Sequence, residues 1–309
     1  MEPRHLLGIE PLERGEIERI LRSARALREV LRGPSKKRDD LRGKTVINLF
    51  FENSTRTRVS FEMAAKILGA DAINWSASGS SQSKGETFLD TLRTLEAMRP
   101  DVLVIRHGAS GSAGLAARHL GCAVVNAGDG AHEHPTQALL DALTLEDHLG
   151  SLDGKRVAIV GDVAHSRVAR STSLCLRRLG ATVVLCGPKT MLPSAAWEGV
   201  EMVHDLRQAL GEADAVIALR IQTERIGESL FPSAREYARF FGLSRRTLAW
   251  AKEGAVVLHP GPINRGVEIE PDVADGDRSL ILHQVESGVA IRMAVLLRAA
   301  GKLEEDSHG

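Results

Sequence analysis

The 309-residue sequence contains no apolar run near the roughly 18 residues that a membrane-spanning helix needs. Met1 to Leu7 lacks the charged-then-apolar pattern of a secretory signal, so a soluble, cytoplasmic protein with no membrane partner is expected. Net charge is also missing: Lys plus Arg and Asp plus Glu each number 40. A general nucleic-acid binder carries a basic excess or a basic face, so no nucleic-acid partner is expected. A local cationic site for a small anion stays open. Cysteine is scarce: Cys122, Cys175 and Cys186 are too few and too scattered for a disulfide framework or a zinc site. Each sits among apolar neighbours, as buried reduced thiols do. G-x-G-x-x-G is absent, and Gly161-Asp162 after a strand is a poor substitute for the glycines that let a backbone approach a pyrophosphate. No serine or cysteine nucleophile with a paired base is evident, and no short-period repeat is visible. Neither a metal nor a cofactor is expected.

What is present is a globular chain, 43% hydrophobic, long enough for about two domains at about 150 residues each. Ile17, Ile20, Leu21, Ala24, Leu27 and Leu31 recur at helical spacing, predicting an amphipathic helix over Gly15 to Leu31. Thr45 to Phe51 reads as a strand and Val59 to Leu68 as a helix stopped at Gly69. Strands follow at Asp71 to Trp75, Val102 to Arg106 and Ala123 to Asn126, with helical patterns between them. Pro135 to Leu149 reads as a helix begun by a first-turn proline, whose missing N–H costs nothing there. The alternation restarts with strands at Arg156 to Val160, Thr182 to Leu185, Ala215 to Leu219 and Val256 to Leu258. The expected fold class is therefore α/β, with two parallel-sheet domains and the active site in the cleft between them. The expected domains are residues 1–149 and 150–283, with a last helix, Gln284 to Lys302, packing back on the first.

Long irregular segments stand out at Ser76 to Lys84, Arg220 to Pro232 and His259 to Glu270. Loops of that length in α/β units are uncommon unless functional. In open parallel sheets, ligands lie outside the carboxyl ends of the strands. Directly after the first strand comes Glu52-Asn53-Ser54-Thr55-Arg56-Thr57-Arg58, leading into a helix. Hydroxyl residues at a helix start, its unpartnered N–H groups, the helix dipole and two arginine forks together make a phosphate cradle without a glycine loop. The plainer alternative is an N-capped helix with surface arginines.

Ser54-Thr55-Arg56-Thr57-Arg58 resembles the carbamoyl-phosphate signature of the aspartate/ornithine carbamoyltransferase family. The likeness continues through Arg106-His107, Asn126 to Gly130, His132 to Gln137, Gly161-Asp162 with Arg167, Arg220-Ile221-Gln222 with Glu224-Arg225, and His259-Pro260-Gly261-Pro262. Several motifs in one order carry more weight than a single pentapeptide. The resemblance implies a carbamoyl-phosphate-binding first domain and an aspartate-binding second domain. It implies that Ser54, Thr55, Arg56 and Thr57 hold the phosphate, that Arg106 and His134 reach the carbonyl oxygen, and that Gln137 binds the carbamoyl amide end. Main-chain groups of Gly261 and Pro262 would accept hydrogen bonds from the carbamoyl NH2. Arg56, Thr57, Arg106 and His134 would be the catalytic set. A lone histidine at a helix start is otherwise more often bonded to nearby backbone.

Aspartate brings two carboxylates close to its amine, so its pocket should be rich in fixed cations. Arg167 and Arg220 both follow strands of the second domain, and the resemblance assigns them, with Gln222 and Lys84, to L-aspartate. Lys84 follows a serine-rich loop, and in this family Ser80 and Lys84 are contributed to the neighbouring subunit's site. A homotrimer follows from that. The family's ornithine members place a cysteine in the motif that reads His259 to Pro262 here; this chain has Gly261, which favours aspartate. The expected activity is carbamoyl transfer from carbamoyl phosphate to L-aspartate, an early step of pyrimidine biosynthesis. Ornithine or another amine as acceptor, or a non-catalytic member of the family, are the alternatives. The resemblance also admits a larger assembly with dihydroorotase or with regulatory chains.

Overall fold

The computed structural model describes residues 4–76, 86–221 and 233–303. The chain divides into two compact units, Met1–Leu140 with Glu286–Gly309, and Asp141–Val285.

In the first unit, α1 (Arg14–Arg32) buries Ile17, Ile20, Leu21, Ala24 and Leu27, the stripe that its sequence spacing predicts. There follow β1 (Thr45–Phe50), α2 (Thr55–Ile67), β2 (Asp71–Ser76), α3 (Phe88–Ala97), β3 (Val102–His107), α4 (Ser112–His119), β4 (Ala123–Asp129) and the start of α5 (Pro135–Leu149). The sheet runs β2-β1-β3-β4, and every pairing is parallel. All seven residues of β4 are buried, as expected where helices cover both faces of a parallel sheet. Ile47, Leu49, Leu103, Ile105 and Val124 pack with Leu92 and Leu95 of α3 and Ala113 and Ala116 of α4. Burying each large aliphatic side chain contributes about 1.5–3 kcal/mol, so a one-residue register slip that exposed this set would cost far more than any loop preference could return.

The second unit contains β5 (Arg156–Val160), α6 (Arg167–Arg178), β6 (Thr182–Cys186), a 3-10 turn (Lys189–Met191), β7 (Glu201–Val203), α7 (Leu206–Leu210) and β8 (Ala215–Ala218). It continues with α8 (Ala234–Phe241), α9 (Arg245–Leu248), β9 (Val256–Leu258), α10 (Pro271–Ala274) and the first turn of α11 (Ile281–Ala299). Its parallel sheet runs β7-β6-β5-β8-β9. Val160, Val184, Val216 and Val257 form its core with Tyr237, Phe241 and Leu243. The rest of α11 belongs to the first unit, where Arg298 reaches Glu16 Oε1 (2.7 Å) and Arg292 lies over the Phe61 ring.

Three local details differ from the periodicity-based reading. Helix α2 begins at Thr55 rather than Val59, because its first turn is built of polar residues that carry no apolar period. The three-residue strand β7 is too short to leave a pattern. Helix α11 runs Ile281–Ala299 rather than Gln284 to Lys302. Leu282, 81% exposed, breaks its apolar stripe at the start. At the end, Gly301 at φ 69° and the Lys302 N–H to Leu297 carbonyl bond (2.7 Å) close the helix in a left-handed turn.

Both sheets change winding direction once. In the first, the chain moves outward from β1 to β2 and then crosses to β3, so the switch lies between β1 and β3. In the second it lies between β5 and β8. Ligand sites of open α/β sheets form at such points, outside the carboxyl ends of the strands.

Candidate active site

At the first switch point, Phe50 pairs with Arg106 in register, and the Phe51 N–H donates to the Arg106 carbonyl at 2.8 Å. The chain leaving β1 therefore runs beside the end of β3. Ser54 occupies the N-cap of α2 with φ −155° and ψ 87°, and its hydroxyl makes no bond to the helix's own N–H groups. Thr57 is buried while Thr55 and Arg56 are exposed. Ser60 Oγ donates to the carbonyls of Arg56 (2.8 Å) and Thr57 (2.9 Å), tying down the first turn. The first turn of an α-helix leaves its N–H groups without intrahelical acceptors, and the dipole adds positive potential there. Such a turn suits a multiply charged oxyanion.

Two groups help to fix Arg106. Its Nη1 donates to the Ala127 carbonyl (3.2 Å), and its Nε lies 3.5 Å from Glu52 Oε2. Beside it, His107 packs edge-on to Phe51 (ring centroids 4.9 Å apart) and against Phe88 (5.0 Å). Burial pushes the His107 pKa down from its ordinary value, and its Nδ1 accepts the Ala109 N–H at 2.9 Å. Both features favour the neutral imidazole beside the arginine.

His134 closes the connection after β4, which pairs with β3, and Gln137 lies in the first turn of α5. His134 is buried, and its carbonyl accepts the N–H groups of Gln137 (3.0 Å) and Ala138 (3.2 Å), so it stands at the entry to α5 ahead of Pro135. Buried carboxylates brace this connection. Asp129 Oδ1 accepts from Asn126 Nδ2 (2.8 Å) and the Glu133 N–H (3.1 Å), and Oδ2 from the Gly111 N–H (2.6 Å). Glu133 accepts the N–H groups of Ile9 (2.8 Å) and Glu10 (3.2 Å).

The second unit repeats the layout. Gly161 follows β5 at φ 138°, and a Cβ there would lie 2.8 Å from Leu219 Cβ, so only glycine allows this approach to the chain leaving β8. Asp162 Oδ1 pairs with His165 Nδ1 (2.8 Å), and Ser166 Oγ caps α6 by accepting the Ala169 N–H (3.1 Å). Arg167 is the first residue of α6, and Arg220 follows β8, the strand adjacent to β5. Gly261 and Pro262, joined by a cis peptide, follow β9, the strand adjacent to β8.

The structure thus brings Ser54, Thr55, Arg56, Thr57, Arg106, His134 and Gln137 to the carboxyl edge of one sheet. Arg167, Arg220, Gly261 and Pro262 lie at the carboxyl edge of the other. Ser80, Lys84 and Gln222 lie outside the described residues. Among the described residues no cluster of histidine, cysteine and carboxylate side chains suits a metal ion. The sequence reading gave no role to the side chains of Glu52, Asp129, Glu133, Asn264 or Glu268, although Asp129 and Glu133 fall within the motifs quoted above. Several of their partners are distant in the chain or are backbone groups.

Two family models match: the carbamoyl-P binding domain of aspartate/ornithine carbamoyltransferase over residues 4–147, and the Asp/Orn binding domain over residues 153–299. An aspartate carbamoyltransferase catalytic subunit of an Anaeromyxobacter species is 58% identical, over 99% of this chain and 98% of its own. Aspartate transcarbamoylase of Trypanosoma cruzi, solved with carbamoyl phosphate and aspartate, is 30% identical with a TM-score of 0.86, covering 96% of each chain. Ornithine carbamoyltransferase of Pyrococcus furiosus is 29% identical, also with a TM-score of 0.86, covering 97% of this chain and 98% of its own. Neither backbone likeness nor identities of 30% and 29% separate the two acceptor classes; the 58% identity to an aspartate carbamoyltransferase catalytic subunit favours aspartate.

Proposed function

The chain belongs to the aspartate/ornithine carbamoyltransferase family, and we propose how its residues divide the work of the aspartate carbamoyltransferase reaction. In that reaction the α-amine of L-aspartate attacks the carbonyl carbon of carbamoyl phosphate. The C–O bond to phosphate breaks, giving N-carbamoyl-L-aspartate and inorganic phosphate.

The phosphate is held by Ser54, Thr55, Arg56 and Thr57 at the start of α2, where hydroxyl, N–H and guanidinium donors coincide. Attack converts the carbonyl oxygen into an oxyanion. Thr57, Arg106 and His134 stabilise that charge more in the transition state than in the bound substrate. Gln137 takes the carbamoyl amide end, and main-chain groups of Gly261 and Pro262 accept from its NH2. The two carboxylates of aspartate go to Arg167, Arg220, Gln222 and Lys84. The departing phosphate takes the amine proton, so neither a protein nucleophile nor a metal is part of the scheme. Holding two reactants in place supplies a term that reaches about 7–11 kcal/mol.

A homotrimer in which Ser80 and Lys84 serve the neighbouring subunit is part of the reading. Supporting it, β2 is an edge strand with Ile73 51% exposed, and Val59 and Met63 of α2 are each 43% exposed. An apolar strip on an open sheet edge is a liability in a monomer and an asset at a subunit contact. A cytoplasmic location is proposed with it, supported by three cysteines that all stand as free thiols.

The observation that carries the reading is the Ser54–Arg58 run forming the N-cap and first turn of α2 just after β1, the strand whose Phe50 pairs in register with Arg106. The test is product formation from carbamoyl phosphate with aspartate, ornithine and other amino acids in parallel. Carbamoyl-aspartate is the expected product; a preference for ornithine overturns the acceptor assignment.

A further inference from the structure

The turn after β9 hangs from a buried polar network. His259 Nδ1 accepts the Gly261 N–H at 2.7 Å, which leaves the imidazole proton on Nε2, facing Glu268 Oε1 at 3.0 Å. The His259 N–H donates to Gln284 Oε1 (2.9 Å), and Gln284 Nε2 donates to Asp141 Oδ1 (2.7 Å). His259, Glu268, Gln284 and Asp141 are all at most 4% exposed. Glu268 Oε1 also accepts the backbone N–H of Asn264 at 2.5 Å. With its main chain anchored there, Asn264 sends its side-chain amide to the carbonyl of Ile221, 2.6 Å away and 43 positions earlier in the chain. Ile221 is buried and directly follows Arg220.

We infer that Asn264 is a positioning residue for aspartate recognition: its amide pins the Ile221 carbonyl and so fixes the backbone that carries Arg220. The inference rests on the assignment of Arg220 to the dicarboxylate. A guanidinium recognises a carboxylate through paired N–H bonds in one plane, and that geometry degrades when its backbone can rotate. The Ile221 carbonyl lies one residue beyond Arg220, so a donor fixed on it anchors the chain immediately after the arginine and limits how far its backbone can turn. The donor is itself held by Glu268, so the tie joins the Gly261–Pro262 turn to the chain leaving β8.

The test uses the full-length protein, with steady-state kinetics at saturating carbamoyl phosphate and calorimetric titration of carbamoyl phosphate alone. Asn264→Ala removes one hydrogen bond. KM for aspartate should rise about tenfold, while kcat and carbamoyl phosphate affinity stay within about twofold of the parent. Asn264→Asp keeps the shape but sets a carboxylate against the carbonyl, so it should do no better than alanine. In the double variant with Arg220→Ala, the two effects on kcat/KM for aspartate should be non-additive, because Asn264 acts through Arg220. A merely structural asparagine would give additive losses and equal damage to carbamoyl phosphate binding, and either result overturns the inference. If Asn264→Ala leaves KM unchanged while Arg220→Ala raises it, the inference fails and the assignment of Arg220 stands. If Arg220→Ala also leaves KM unchanged, the assignment itself fails, and the inference with it.

Discussion

The Nε of Arg106 lies 3.5 Å from Glu52 Oε2, across the switch point where β1 and β3 end side by side. The pair is partly solvated, with Arg106 at 13% and Glu52 at 34% side-chain exposure, so its direct worth to stability is small. Its effect is on aim. Glu52→Gln replaces the charged contact at Nε with a weaker neutral one and keeps the bond to the Ala127 carbonyl. Turnover should fall by about tenfold at unchanged thermal stability. Arg106→Lys should cost more, about 100- to 1000-fold in kcat, because one ammonium cannot both hold Ala127 and meet a developing oxyanion. Comparable kcat values for the two variants would refute the division between aiming and stabilising.

Arg56→Ala tests the anion site most directly. The first turn of α2 and the Ser60 bonds to the Arg56 and Thr57 carbonyls involve only its main chain, so the fold should survive. Removing the guanidinium fork from a doubly charged phosphate should lower kcat/KM for carbamoyl phosphate by at least about 100-fold. Calorimetry should then show no heat of carbamoyl phosphate binding at concentrations that saturate the parent. Near-normal activity contradicts the role given to Arg56.

Much of this architecture is legible in the sequence because strand cores announce themselves. Val102 to Ile105 and Val157 to Val160 are unbroken apolar runs, as sheets covered on both faces require. The anion site is legible because its donors are consecutive and local, from Ser54 to Arg58. Groups whose partners are far away in the chain leave no such trace. Glu133 is bonded to Ile9 and Glu10, and Asn264 to Ile221; the sequence shows neither pairing, even though Glu133 falls within a quoted motif. The start of α2 was misplaced for a related reason: Thr55 to Arg58 serve the helix end and not the core, so apolar periodicity does not include them.

Glu133 should matter more for folding than its place in a loop suggests. It is 1% exposed, and its carboxylate receives the N–H groups of Ile9 (2.8 Å) and Glu10 (3.2 Å), while Gly8 packs against it too closely for any side chain. Glu133→Ala leaves those donors without their acceptor, at a cost of about 2–3 kcal/mol. The expected signature is a lower Tm with faster amide exchange at Ile9 and Glu10. Exchange rates unchanged from the parent would remove the argument.

His107 predicts an acid limb of stability with a definite sign. Burial lowers its pKa from the ordinary 6.5, so the folded state binds fewer protons than the unfolded chain in the interval between the two values. Stability is therefore fully present above pH 6.5 and declines as pH falls through that interval. His5, lowered by burial and by Arg298, adds in the same direction. His107→Gln should flatten part of the slope of Tm against pH just below 6.5, with His5 still contributing there and carboxylates such as Asp40, Glu62 and Asp214 contributing at lower pH. An unchanged slope means that His107 does not titrate in this way.

The exposed strip beside β2 separates assembly from chemistry. Ile73→Lys places a charge on a side chain 51% exposed at a sheet edge, so an isolated monomer should fold normally around it. If β2 and α2 form the subunit contact, light scattering should show dissociation, because a buried unpaired lysine costs several kcal/mol at each interface. Activity should fall with the assembly even though Arg56, Arg106 and His134 are untouched. The cause would be the loss of Ser80 and Lys84 from a neighbour, and that can be tested without breaking the interface. Lys84→Ala and Arg56→Ala subunits, each inactive alone, should regain activity when unfolded and refolded together. Mixed assemblies place an intact Lys84 beside an intact Arg56, whereas a Lys84 acting within its own chain would restore nothing.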